Sequence, residues 1–149
     1  MPTPRHHTRS AVRPRAPVLV DSGVWIALAS ARDQHHAAAD AAIRAALAAR
    51  TALLTTSLIV AEVQRFVLFR AGIEPAALIV DRIDASPSVT VVFPDADHHA
   101  AARQWLARLR DHRITYTDAV SFAVMQSHRC AAALTFDRDF AAAGFVVRP

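Results

Sequence analysis

Apolar positions change period several times along the chain. Val18-Leu19-Val20 is an unbroken β-branched and aliphatic run that stops on Asp21. Val24-Trp25-Ile26-Ala27-Leu28 follows at once, so a buried strand predicts a helix directly after it, with Ser22 near its N-cap. Ile43 and Leu47, four apart in an Ala-rich stretch, predict an amphipathic helix over 33–50. Leu53-Leu54-Thr55-Thr56 is a second strand. Ser57 then opens a helix that Gly72 stops. Pro75 opens a short helix through Ile83. Val89–Phe93 is a third strand. A helix follows from the Asp95–Asp97 region to about Arg110, with Asp97 as a cap or first-turn acid. Thr117 is a natural N-cap for the helix carrying Asp118 in its first turn. Ala131–Thr135 and Phe145–Val147 complete the set of strands. Strands alternating with helices require right-handed crossovers. The expected fold class is α/β: a three-layer α/β/α sandwich around a mostly parallel sheet of four or five strands.

Composition narrows this only in places. With 149 residues and 53% hydrophobic content, the chain suits one domain with a substantial core. Arg5, Arg9, Arg13 and Arg15 fall in the first 16 residues, which contain no acid and are rich in Pro. Without those four, 13 basic residues face 13 acids, so the body is neutral. Residues 1–16 therefore read as a disordered tail and 17–149 as the domain. All 17 basic residues are Arg. The absence of Lys excludes a Schiff-base or phosphate-loop lysine. Three Gly at separate positions exclude a glycine-rich dinucleotide loop. The single Cys130 excludes an internal disulfide, fits a reducing cytoplasmic compartment and reads as a small buried side chain. No apolar run reaches the length of a membrane span. His35 and His36, adjacent on a helix, point apart and make a poor chelating pair. Phe66-Val67-Leu68-Phe69 places apolar side chains around more than one helical face, which predicts that another subunit or a partner protein covers part of that helix.

The acids carry the chemistry. Asp21 and Asp137 each follow a strand. Glu62 and Asp118 lie early in helices leaving the same sheet edge. In open parallel sheets that edge is where ligands bind. Alone, Asp21 either caps a helix or holds a cation. Glu62, in a strongly apolar helix, either pairs with an Arg or serves as a cation ligand. Together the four would repel one another unless cations were bound. A carboxylate and water donor set suits Mg²⁺ or Mn²⁺, and no Cys/His spacing for Zn²⁺ is present.

Four stretches in order carry a resemblance: Val18–Ser22, Thr56–Val63, Ile114–Val120 and Leu134–Phe140. Over residues 17–147 the chain resembles the PIN domain family, especially its VapC-type toxin ribonucleases. The resemblance implies a Mg²⁺- or Mn²⁺-dependent endoribonuclease, usually a homodimer, held in check by an antitoxin protein. It carries the acidic site onto Asp21, Glu62, Asp118 and Asp137. Asp139 is an auxiliary acid, and Ser22 and Thr135 support the site. Asp21 and Asp118 are the expected direct ligands. Glu62 and Asp137 act through water or in proton removal. The Arg-rich tail departs from the family pattern. Arg65, Arg70, Arg103, Arg108, Arg110 and Arg113 are candidate phosphate contacts. Two rivals remain. A haloacid-dehalogenase-like phosphohydrolase needs a second acid where Gly23 stands, and a lysine. A non-catalytic PIN-like module that only binds RNA or protein would lack one of the acids.

Overall fold

The computed structural model describes residues 15–149. Most of the expected tail lies outside them. Arg15, at its end, donates from Nη1 to the Ala49 carbonyl at 2.9 Å.

Chain order is β1 (Val18–Val20), α1 (Ser22–Ala29), α2 (His36–Ala48), β2 (Leu53–Thr56), α3 (Ser57–Ala71), α4 (Ile73–Ala85), β3 (Val89–Val92), α5 (Ala96–Arg108), α6 (Tyr116–Ser127), β4 (Ala132–Leu134), α7 (Asp139–Ala142) and β5 (Val147–Arg148). The five strands form one sheet in the order β3-β2-β1-β4-β5, and every neighbouring pair is parallel. The three central strands have every residue buried, as a sheet covered on both faces requires. Right-handed crossovers place α1–α4 on one face and α5–α7 on the other. Trp105, Phe122, Phe140 and Phe145 interlock on the second face, with ring centroids 4.9–5.9 Å apart.

Several boundaries differ from the sequence expectation for local reasons. Asp21, not Ser22, caps α1: its Oδ1 accepts from the Ser22 amide at 2.7 Å. α2 starts at His36, because Asp33 Oδ1 accepts from the His35 amide and forms a turn there. α4 starts at Ile73 and takes Pro75 inside its first turn, where a missing N–H costs no helix bond. Thr115, not Thr117, caps α6. β5 begins at Val147, because Phe145 turns into the aromatic cluster.

The fold positions the site through the sheet order. The chain moves outward from β1 to β2 and β3, then crosses back to β4 on the other side of β1. β1 and β4 therefore flank the switch point, and a crevice opens beyond their carboxyl ends.

Candidate active site

Asp21 ends β1 and Thr135 ends β4. The Asp21 amide donates to the Leu134 carbonyl at 3.0 Å and extends the strand pairing by one residue. The Thr135 hydroxyl then donates to Asp21 Oδ2 at 2.7 Å. The same hydroxyl accepts from the Asp137 amide at 2.9 Å, and Asp137 Oδ1 accepts from the Asp139 amide at 2.8 Å. One buried threonine thus sets both strand-end acids.

β2 supplies the next support. Thr55 Oγ1 donates to the Val20 carbonyl at 3.1 Å and accepts from Trp25 Nε1 at 3.3 Å, which ties α1 to the sheet end. Thr56 caps α3 through the Ile59 amide at 3.1 Å. That cap aims the second turn of α3, and Glu62 with it, into the crevice. From the opposite face, α6 begins with a reciprocal cap. Asp118 Oδ2 accepts from the Thr115 amide and hydroxyl at 2.7 and 2.8 Å, while the Asp118 amide donates back to Thr115 Oγ1 at 3.1 Å. Among the described residues, Asp118 Oδ1 has no hydrogen-bond partner.

Asp21, Ser22, Glu62, Asp118 and Asp137 line one open cleft of about 470 Å³, together with Gly23, Thr115 and Phe136. The four acids picked out by sequence therefore share a wall. Asp139 does not line the cleft. Its carboxylate faces His112 Nδ1 at 3.3 Å. A hollow of about 590 Å³ between α1 and α3 is larger but holds only one acid, Asp33. None of the six candidate arginines lines the acidic cleft. Arg65 lies over the Phe69 ring and Arg108 over that of Trp105. His35 and His36 separate: His36 Nδ1 meets the Ala27 carbonyl at 2.8 Å, and His35 stacks on Phe136.

The electrostatics are those of a site short of positive charge. Among the described residues, the ion pairs join Arg44 to Asp40, His98 to Asp95 and His112 to Asp139, so no basic group neutralises the four cleft acids. Asp21 is 6% exposed, and burial pushes its carboxyl up to about 6. Donors from Thr135 and Ser22 oppose that shift, and the carboxylates of Asp118 and Glu62 add to it. Burial also raises the Asp118 carboxyl, against the Thr115 donors and together with the charges of Asp137 and Glu62. Carboxylates held in a polar wall with spare lone pairs are hard oxygen donors for a small divalent cation. Among the described residues no three acids stand close enough to hold one ion directly. A cation there fits through one or two carboxylates with its remaining positions in water, the usual state of Mg²⁺.

Sequence reasoning passed over Thr115 and Phe136. Thr115 was legible from Thr-x-x-Asp, the spacing of a capping box. Phe136 had no signal beyond lying between Thr135 and Asp137.

Fold and site together define a class: a parallel α/β/α domain with a carboxylate cleft at its switch point. The chain belongs to the PIN domain family, whose description matches residues 18–146. It is 35% identical over 133 residues to the 23S rRNA-specific endonuclease VapC20 of Mycobacterium tuberculosis, covering 89% of this chain and 98% of that protein. The crystal structure of M. tuberculosis VapC20, a sarcin-ricin loop cleaving toxin, aligns with a TM-score of 0.78 at 34% identity, over 89% of this chain and 99% of that one. FitAcB from Neisseria gonorrhoeae, at a TM-score of 0.66 and 18% identity over 89% and 96% of the chains, shares the fold. So does VapBC2 from Rickettsia felis, at 0.67 and 12% over 88% and 96%.

Proposed function

We propose that this protein is a divalent-metal-dependent endoribonuclease of the VapC type, the toxin of a toxin-antitoxin pair, and that Asp21, Glu62, Asp118 and Asp137 form its active site. One observation carries the reading: four carboxylates from four separate elements line one cleft, and no described basic side chain neutralises them. Such an arrangement costs stability and is hard to account for by helix capping alone, since Glu62 caps no helix and Asp137 takes up only the first amide of the four-residue α7.

Mg²⁺ or Mn²⁺ bound there would supply a water of lowered pKa and positive charge opposite the phosphoryl oxygens. The chain's own residues do the rest. Thr135 and Ser22 fix Asp21, and Thr115 fixes Asp118, so neither carboxylate has to reorganise when charge develops. Asp21 and the unpartnered Oδ1 of Asp118 would hold the cation directly, with the Glu62 carboxylate free to join them or to act through water. Asp137, pinned through Oδ1, keeps Oδ2 to accept a proton from the attacking water. Without a cation these acids repel an RNA phosphate, so cleavage requires the metal.

RNA is the substrate class. The 35% likeness to a 23S rRNA-specific endonuclease makes 23S rRNA the first RNA to test. A cognate antitoxin and a second copy of the chain are the proposed protein partners. The surface assigned to them lies on α3 and α4, where Phe66, Phe69 and Ile73 are 48%, 80% and 78% exposed. A cytoplasmic location is part of this proposal, since RNA is the substrate class. Among the described residues no helix is long and apolar enough to cross a membrane.

Asp118→Asn tests the reading. Asn keeps one oxygen for the Thr115 cap while removing a charge. RNA cleavage and Mg²⁺ binding are expected to fall to background, with the metal-free melting temperature equal to or above the parent's. Full cleavage by Asp118→Asn would end this assignment.

A further inference from the structure

We propose that the stacked rings of His35 and Phe136 form a shelf on the lip of the acidic cleft, against which an unpaired RNA base lies beside the phosphodiester being cut. The proposal rests on the nuclease reading above and adds how the substrate is held.

Phe136 lines the cleft directly beside Asp137. One side of its ring rests on the first turn of α1, where a side-chain carbon added at Gly23 would meet Cδ2 at 3.7 Å. The His35 ring covers it at a centroid distance of 4.2 Å and an interplanar angle of 17°. His35 is exposed, so the stacked pair reaches solvent beside the cleft that Phe136 lines. The turn that presents it is fixed by Asp33 Oδ1, which accepts from the His35 amide at 2.8 Å. Position 35 precedes α2, yet the His35 ring caps no helix amide. Its ring contacts are Phe136 and a neighbouring Gln34 amide at 3.3 Å. The ring contributes little to the core, and its position is that of a platform.

The chemistry of the cleft calls for such a contact. An acid-lined wall holds a phosphate only through a cation and repels the flanking phosphates. Among the described residues no arginine lines it. Affinity for the nucleotide then has to come from an uncharged surface within reach. Every base offers a π-face, and aromatic side chains are the usual partners of unpaired bases in RNA loops. Two parallel rings extend that surface and lock the Phe136 orientation.

The test uses the full chain and a single-stranded RNA oligonucleotide carrying 2-aminopurine. Binding is read by stopped-flow fluorescence quenching before cleavage, and steady-state cleavage is read on the same proteins, with Asp118 intact in both. His35→Ala and Phe136→Leu are expected to remove most of the quenching. They are also expected to raise KM roughly tenfold, the size of one base–aromatic stack, with kcat nearly unchanged. His35→Phe restores both. His35 is exposed, so His35→Ala keeps the parent's melting temperature. Parental KM and quenching in His35→Ala, with the parent cleaving RNA, would overturn the shelf alone. A parent that quenches through His35 but never cuts RNA would overturn the nuclease reading and leave the shelf standing.

Discussion

Asp21→Asn puts a number on the charge stored in the cleft. In the folded, metal-free protein the Asp21 carboxyl is pushed up to about 6 from an ordinary 3.8, chiefly by burial. A shift of that size corresponds to about 3 kcal/mol of destabilisation once the group is ionised. The folded state binds more protons than the unfolded chain between the two values. Stability therefore falls as pH rises from about 4 to about 6 and is level above that. Asn removes the ionisation and keeps the α1 cap, because its oxygen still accepts from Ser22. It turns an NH₂ toward Thr135, a mismatch worth about 1 kcal/mol. At pH 8 in a metal chelator, Asp21→Asn is therefore expected to be about 2 kcal/mol more stable than the parent. Near pH 4 the gain disappears or reverses slightly. Urea unfolding of both proteins across this range isolates the Asp21 contribution, since Asp118 and the other acids are common to both. Mg²⁺ is expected to stabilise the parent and leave Asp21→Asn nearly unmoved. A parent–variant difference that stays flat from pH 4 to 8, or an Asn protein less stable at pH 8, would refute the account of the buried charge.

Thr135→Val keeps shape but strips the donor from Asp21 and the acceptor from the Asp137 amide; a stability loss of about 1–3 kcal/mol and an alkaline shift in the cleavage profile are expected from unfolding and pH–rate measurements. Phe66→Ser with Phe69→Ser is expected to leave the melting temperature of the isolated monomer almost unchanged, because both side chains are exposed, while sedimentation shows loss of the dimer or antitoxin complex. A strictly monomeric parent that gains no stability from its antitoxin would count against that surface. Deleting residues 1–14, which carry three arginines, is expected to preserve the melting temperature and flatten the salt dependence of non-specific RNA binding, read by filter binding.

The convergence of the four acids was legible because Asp21 and Asp137 follow strands while Glu62 and Asp118 lie early in helices that leave the same sheet edge. The caps were less so. Thr115-Tyr116-Thr117-Asp118 offers two hydroxyls, and only the three-residue spacing of a reciprocal cap selects Thr115. Pro75 marked a helix start too late, because the first turn tolerates proline. Phe145 has strand propensity, but the aromatic cluster claims it, so β5 slips toward Val147. The His35–Phe136 stack had no sequence signal, since it joins a turn after α1 to a loop after β4. Phe66 and Phe69 looked like excess apolar surface and are exposed in the folded chain, whereas Val67 between them is buried.

The Thr135–Asp21 hydrogen bond spans 114 residues of chain, and that separation has a bearing on synthesis. A ribosome releases Asp21, Glu62 and Asp118 before β4 exists. Until β4 inserts beside β1, no threonine lies beneath Asp21 and no amide positions Asp137, so the crevice has no floor. Closing such a long loop is the entropically demanding step of assembly, and it comes late. With the active site proposed above, a growing chain is expected to spare the RNA around it until its central strand pair closes.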